Sequence, residues 1–174
     1  KMAVNTENIS LGVCDVTFDT VDLGATKGGV EVTITTETYQ VKIDQYGETP
    51  VKDVIMGTVI EVKVPLVETD LTKLLKILPQ GVGVGTAGSE VGVEIRSGVN
   101  IDLLDIAGVL FLHPTGTAAS FTKGDFTAFK AAPKPDFSFK YETGAEKIYE
   151  VTFMCYPDTT ANGKIAAFGK PIAA

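Results

Sequence analysis

The sequence predicts a mostly β fold of the α+β kind: a β-sandwich or barrel of two packed antiparallel sheets, with one short flanking α-helix and long loops or arms. Three observations predict it. Val, Ile and Thr dominate the periodic stretches, and such residues fit a pleated, half-buried surface. Several runs alternate apolar and polar residues with the two-residue period of a strand that has one face on a core. One stretch alone, Thr69 to Leu78, has apolar residues at the spacing of an amphipathic helix. With 174 residues, of which 44% are hydrophobic and 21% charged, the chain is sized for a single domain with one core and lies far from the composition of disordered proteins.

In chain order, residues 1 to 10 read as a polar arm. Leu11 to Phe18 (LGVCDVTF) is a strand with Cys14, Val16 and Phe18 on one face. In Val30 to Ile43, Val30, Val32 and Ile34 share a face, and then Tyr39, Val41 and Ile43 carry the apolar side. That switch of phase predicts a bulge or bend near Thr35 to Thr38. Asp44 to Asp53 (DQYGETPVKD) contains Gly47 and Pro50, lacks a period and reads as an exposed loop joining two long strands. Val54 to Val67 then alternates in one register, with Val54, Met56, Ile60, Val62, Val64 and Leu66 on a single face.

Thr69 is placed to cap a helix and Asp70 to complement its N-terminal dipole; Leu71, Leu74, Leu75 and Leu78 form its apolar stripe, and Pro79 ends it. So short a helix needs tertiary packing to persist, so the leucines are expected on the parent sheet. Gly81 to Gly92 reads as a glycine-rich loop. Short apolar runs follow at Val93 to Ile95, Val99 to Ile101 and Leu103 to Leu112. Thr115 to Phe139 has no sustained period and reads as a long structured loop, with KAAPKPDFSFK extended because proline disfavours helix. Glu146 to Tyr156 restores a strand, with Tyr149, Val151, Phe153 and Cys155 on one face, and residues 164 to 174 supply a last strand and an arm.

Charge narrows the function. The net charge is −7 and Arg96 is the only arginine, which argues against a protein that wraps nucleic acid, since phosphate contacts require clustered Lys and Arg. An acidic wall is nevertheless compatible with a channel through which DNA slides, because it repels phosphates. The opening KMAVNTENIS lacks the apolar segment of a secretory signal, and no apolar run approaches a membrane span, so the expectation is a soluble protein made in a cytoplasm.

Catalytic and metal motifs are weak. Gly83-Val84-Gly85-Thr86-Ala87-Gly88 matches the spelling of the dinucleotide fingerprint but follows a helix instead of a strand and precedes no helical period, so it reads as a flexible loop. His113 is the sole histidine; no histidine pair for zinc and no nucleophile elbow exists, and FLHPTG looks like a strand end. Asp102 and Asp105 are read as solvated loop carboxylates, and Cys14 and Cys155, set in apolar runs without ligand spacing, as reduced core thiols. No enzyme, metal or cofactor is expected; assembly is the natural remaining role.

The stretch YQVKIDQYGETPVKDVIMGTVIEVKVPLVETD, Tyr39 to Asp70, followed by LTKLLKILP, resembles the tail tube (major tail) proteins of long-tailed bacteriophages, whose fold is shared by the type VI secretion tube protein. In that family a YGETP-like turn joins two long strands ahead of a short helix. ISLGVCDVTFDTVDLGATKGGVEVTI and EVTFMCYPDTTANGKIAAFGKP are similar to the family as well. The resemblance implies a subunit of hexameric rings that stack into a hollow tube, the conduit for DNA ejection in a virion tail. The partners it implies are further copies of the chain, the initiator or distal tail, terminator and tape measure proteins, and DNA passing without specific binding.

By the same resemblance, the ring-stacking surface is the hairpin loop of Asp44, Gln45, Tyr46, Gly47, Glu48, Thr49, Pro50, Val51, Lys52 and Asp53, together with the terminal arms. The alternatives are a type VI-like secretion tube subunit and a β-sandwich module that decorates a capsid or binds a ligand.

Overall fold

The computed structural model describes residues 12–68 and 70–169. The arm expected over residues 1–10, the capping role expected of Thr69 and the end of the expected tail, residues 170–174, lie outside them. Strands make up 53% and helical turns 8% of the structure, far to the β side of an ordinary domain. Two antiparallel sheets and one short helix form a β-sandwich, as the sequence predicts.

The strands are β1 (Cys14–Phe18), β2 (Val21–Asp22), β3 (Glu31–Lys42), β4 (Pro50–Leu66), β5 (Gly81–Thr86), β6 (Ser89–Ile95), β7 (Gly108–Pro114), β8 (Phe126–Phe139), β9 (Tyr149–Cys155) and β10 (Ala166–Phe168), with α1 (Leu71–Ile77) between β4 and β5. The large sheet has the order β2-β1-β7-β8-β9-β4-β3, with β10 paired to β8, and β5-β6 forms the small one. Along a flat sheet β1 and β9 would stand about 14 Å apart, three strand spacings. Their Phe18 and Phe153 rings instead meet with centroids 4.9 Å apart. The large sheet therefore curls until β1 and β9 face each other across a core of Val16, Phe18, Val62, Val64, Leu110, Val151 and Phe153.

Helix α1 closes this core with Ile77. Asp70 is its N-cap, accepting a hydrogen bond from the Lys73 amide at 2.7 Å, and the extended Leu78 ends it. The stretch expected as a glycine-rich loop, Gly81 to Gly92, is instead the β5–β6 hairpin, turning at Ala87-Gly88. Two of its glycines, Gly81 and Gly83, are sites of close packing against the helix end, while Gly88 supplies the positive φ of the turn. A Cβ on Gly83 would lie 3.0 Å from Leu75, so the helix lies directly across the hairpin backbone.

A second correction concerns Thr115 to Phe139. Only its first part is loop; Phe126–Phe139 is β8, a central strand with β7 on one side and β9 and β10 on the other. Phe126, Thr127 and Ala128 are buried consecutively, as are Ala131, Ala132 and Pro133. A strand covered on both faces has no alternation to detect. The expected extension of KAAPKPDFSFK holds, and the ladder to β9 shifts register between Pro133 and Phe137, where the prolines fall.

Candidate functional site

The strands β3 and β4 form one continuous hairpin with two different halves. In the inner half, β4 pairs with β3 on one side and with β9 on the other, from Leu66↔Tyr149 to Ile60↔Cys155. Beyond Ile60 the second neighbour ends, while pairing with β3 continues to Lys42↔Pro50. What projects is a two-stranded ribbon of eight residue pairs, Thr35↔Val59 to Lys42↔Pro50, about 26 Å long at roughly 3.3 Å per residue. Every residue from Thr33 to Val59 is exposed except half-buried Val41.

Local chemistry explains how the ribbon turns. Asp44–Tyr46 forms a single 3-10 turn, with the Tyr46 amide donating to the Ile43 carbonyl at 3.0 Å and the Thr49 amide to Tyr46 at 3.2 Å. Gly47 sits at φ 57°, ψ −127°, where a side chain would strain the backbone. Lys42 and Glu48 form an ion pair across the turn, and the Thr36 and Thr58 hydroxyls meet at 3.3 Å across the ladder. The expected irregularity near Thr35 to Thr38 is present as a register shift between Glu37 and Thr38, with the extra residue, Met56, on β4. A second shift lies at Val41/Lys42.

Of the residues expected in an exposed loop, Asp44, Gln45, Tyr46, Gly47, Glu48 and Thr49 make the turn. Pro50, Val51, Lys52 and Asp53 do not: they open β4, paired with Lys42, Val41 and Gln40. Proline is tolerated as a first strand residue because no ladder bond from its nitrogen is needed there. All ten are exposed. Sequence reasoning missed the rest of the ribbon: Ile34, Tyr39, Ile43, Val54, Ile55, Met56 and Val59 are also exposed, Ile55 and Met56 at 68% each. The available signal was length, since the 17 residues of β4 are about three times an ordinary strand.

The remaining candidates are built differently. The His113 Nδ1 lies 2.7 Å from an Asp125 carboxylate that is 3% exposed, and its Nε2 lies 3.0 Å from the Thr117 hydroxyl. Hydroxyl, imidazole and carboxylate thus line up, but Thr117 also donates to the Pro114 carbonyl at 2.8 Å, within its own loop. The three residues tie the β7–β8 connection together. The Asp102 carboxylate accepts the Leu104 amide at 2.9 Å, closing its own turn. Cys14 and Cys155 are free thiols; burial pushes both up, Cys155 to about 11, which leaves them protonated and unreactive at neutral pH. Among the described residues no group of three or more potential metal ligands converges and no helix is long and apolar enough to cross a membrane. No protein-family model matches the chain, and no curated protein is significantly similar to it.

Proposed function

We propose that the protein is a non-enzymatic structural subunit that assembles into stacked rings forming a tube, and that the tube is the tail tube of a long-tailed bacteriophage, the conduit for DNA. One observation carries the assembly reading: a projecting ribbon with exposed Tyr39, Tyr46, Ile55 and Met56, and without a covering layer on either face. An isolated two-stranded ribbon is marginal in water, and an exposed apolar edge strand invites pairing. A second copy that covers the ribbon removes both liabilities.

The hexameric ring, the stacking role of Asp44 to Asp53 and the passage of DNA come from the resemblance of Tyr39 to Pro79 to tail tube proteins. The −7 net charge is compatible with a lumen that does not hold DNA. Localisation in the virion tail and partnership with initiator, terminator and tape measure proteins belong to the same proposal. A type VI-like secretion tube would share the ring and differ in cargo, whereas a capsid decoration module would not form tubes.

Negative-stain electron microscopy across a concentration series, with sedimentation velocity alongside, tests the proposal. Hollow tubes or six-fold rings are expected from the unaltered chain. The double substitution Ile55→Ser, Met56→Ser should leave a folded monomer that forms neither. Tubes of normal length from that variant would remove the ribbon from the interface; monomers at every concentration from the unaltered chain, with and without tail initiator proteins, would overturn assembly.

A further inference from the structure

The β8–β9 connection carries a second exposed aromatic cluster, outside the ribbon. Phe139 ends β8, Tyr149 begins β9, and the two are register partners whose ring centroids stand 5.4 Å apart and 40° tilted. Tyr141 meets Phe139 edge-on, at 5.5 Å and 90°. The Lys147 ammonium sits where the three rings converge, 4.4 Å from the centroids of Phe139 and Tyr141 and 4.6 Å from that of Tyr149, and it donates to the Tyr141 hydroxyl at 2.9 Å.

Rings tilted against one another around a point make a cage, whereas the flat face of a sugar would require a coplanar platform. The chemistry such walls recognise is a cation, attracted to the negative ring faces and most strongly when poorly hydrated. Two of the nearby carboxylates are engaged elsewhere, Glu146 with Lys27 and Glu142 with Lys140, and Glu150 follows Tyr149 on β9, where successive side chains point to opposite faces. The rings and a phenol are the groups that face the Lys147 ammonium, and the hydrogen bond to Tyr141, followed by that to Tyr149, holds it above the ordinary lysine value.

We propose that this cage is a binding site for an alkylammonium group, occupied in cis by Lys147 and open to an external ammonium when that side chain swings out. The resident is poised to exchange. It hangs on a flexible four-carbon stem, in a loop that turns at Gly144 with φ 83°, and the outer wall, Tyr141, is 77% exposed. A quaternary ammonium, with little hydration to lose, competes best; a lysine side chain presented by another protein offers the same chemistry.

Titration of the full chain with tetramethylammonium chloride at constant ionic strength, followed by tyrosine fluorescence and aromatic NMR shifts, tests this. Lys147→Ala should bind the cation saturably in the millimolar range. The unaltered chain should bind about tenfold more weakly, the difference a tethered competitor worth about 1.4 kcal/mol makes. Tyr141→Ala added to Lys147→Ala should abolish the response. A parallel titration with Nα-acetyl-lysine methylamide separates the sources: saturation by both probes extends the site to protein lysines, and saturation by tetramethylammonium alone restricts it to quaternary ammonium ligands. A Lys147→Ala variant with a native circular dichroism spectrum and no saturable response overturns the proposal, as does equal affinity in all three proteins.

Discussion

The inner and outer halves of the β3–β4 hairpin are made of the same material and have opposite fates. Along β4, Val54, Met56, Ile60, Val62, Val64 and Leu66 read as one alternating series. The last four are buried, Val62 and Leu66 completely, while Met56 is 68% exposed. Nothing in residue type marks the border; it falls where β9 ends, at the Ile60↔Cys155 pair. Alternation reports that a strand has an apolar side. Whether that side is dry depends on whether another strand, or another molecule, lies over it.

The largest test of this contrast is a matched pair of truncations. Phe153→Ala, in the strand that flanks the inner half and fully buried against Phe18, should cost about 3–5 kcal/mol in urea unfolding. Ile55→Ala, of comparable hydrophobicity on the ribbon, should change monomer stability by no more than about 0.5 kcal/mol. A cost above about 1.5 kcal/mol at Ile55 would mean that the ribbon folds back onto its own body, and the contrast would fail.

A smaller effect is expected at the polar tie beyond the core. His113→Ala leaves the buried Asp125 carboxylate without its imidazole partner and should cost about 1–3 kcal/mol. Amide exchange should then rise in the Thr115 to Gly124 loop while the ribbon stays as it was. Loss of protection in the ribbon instead would couple two regions that the fold keeps apart.

The smallest effect locates the border itself. Cys155 is opposite Ile60, and burial raises its thiol from 9.0 to about 11. A raised thiol favours the folded state fully below the unfolded value near 9, and that contribution is lost as pH rises through about 11. At pH 8 Cys155 should react with a disulfide reagent only on the timescale of unfolding, whereas a cysteine placed by Thr58→Cys, two residues outward on the exposed ribbon, should react at the rate of a free thiol. Fast labelling of Cys155 would move the border inward.

Much of the fold was legible, and the places where it was not share causes. The strands β1 and β9 and the inner half of β4 each have one face on the core and one in water, so their period of two survived into the sequence; most of β3 and the outer half of β4 alternate although both of their faces are exposed. Helix α1 was announced by its leucine spacing, with Asp70 rather than the helix dipole argument alone explaining its start. The β8 strand was hidden because neighbours bury both of its faces, and β5–β6 because glycines that admit the Leu75 and Leu78 side chains also look like a loop. Of the candidate surface, the turn at Tyr46 to Thr49 was visible from Gly and Pro, but the ribbon behind it was not, since exposure leaves no mark on an alternating strand. The Lys147 cage was equally invisible, its walls coming from two strands and the loop between them.

By itself, then, the sequence determined the elements whose signals are local: the period of strands and helix, and the chemistry of the turn around Gly47. Tertiary structure alone decided which of those elements are covered. The curl of the large sheet brings Phe18 to Phe153, the end of β9 leaves the outer hairpin without a second neighbour, and the β8–β9 register gathers Phe139, Tyr141 and Tyr149 around one ammonium. Burial is a property of neighbours distant in the chain, and no local pattern of residues encodes where those neighbours stop.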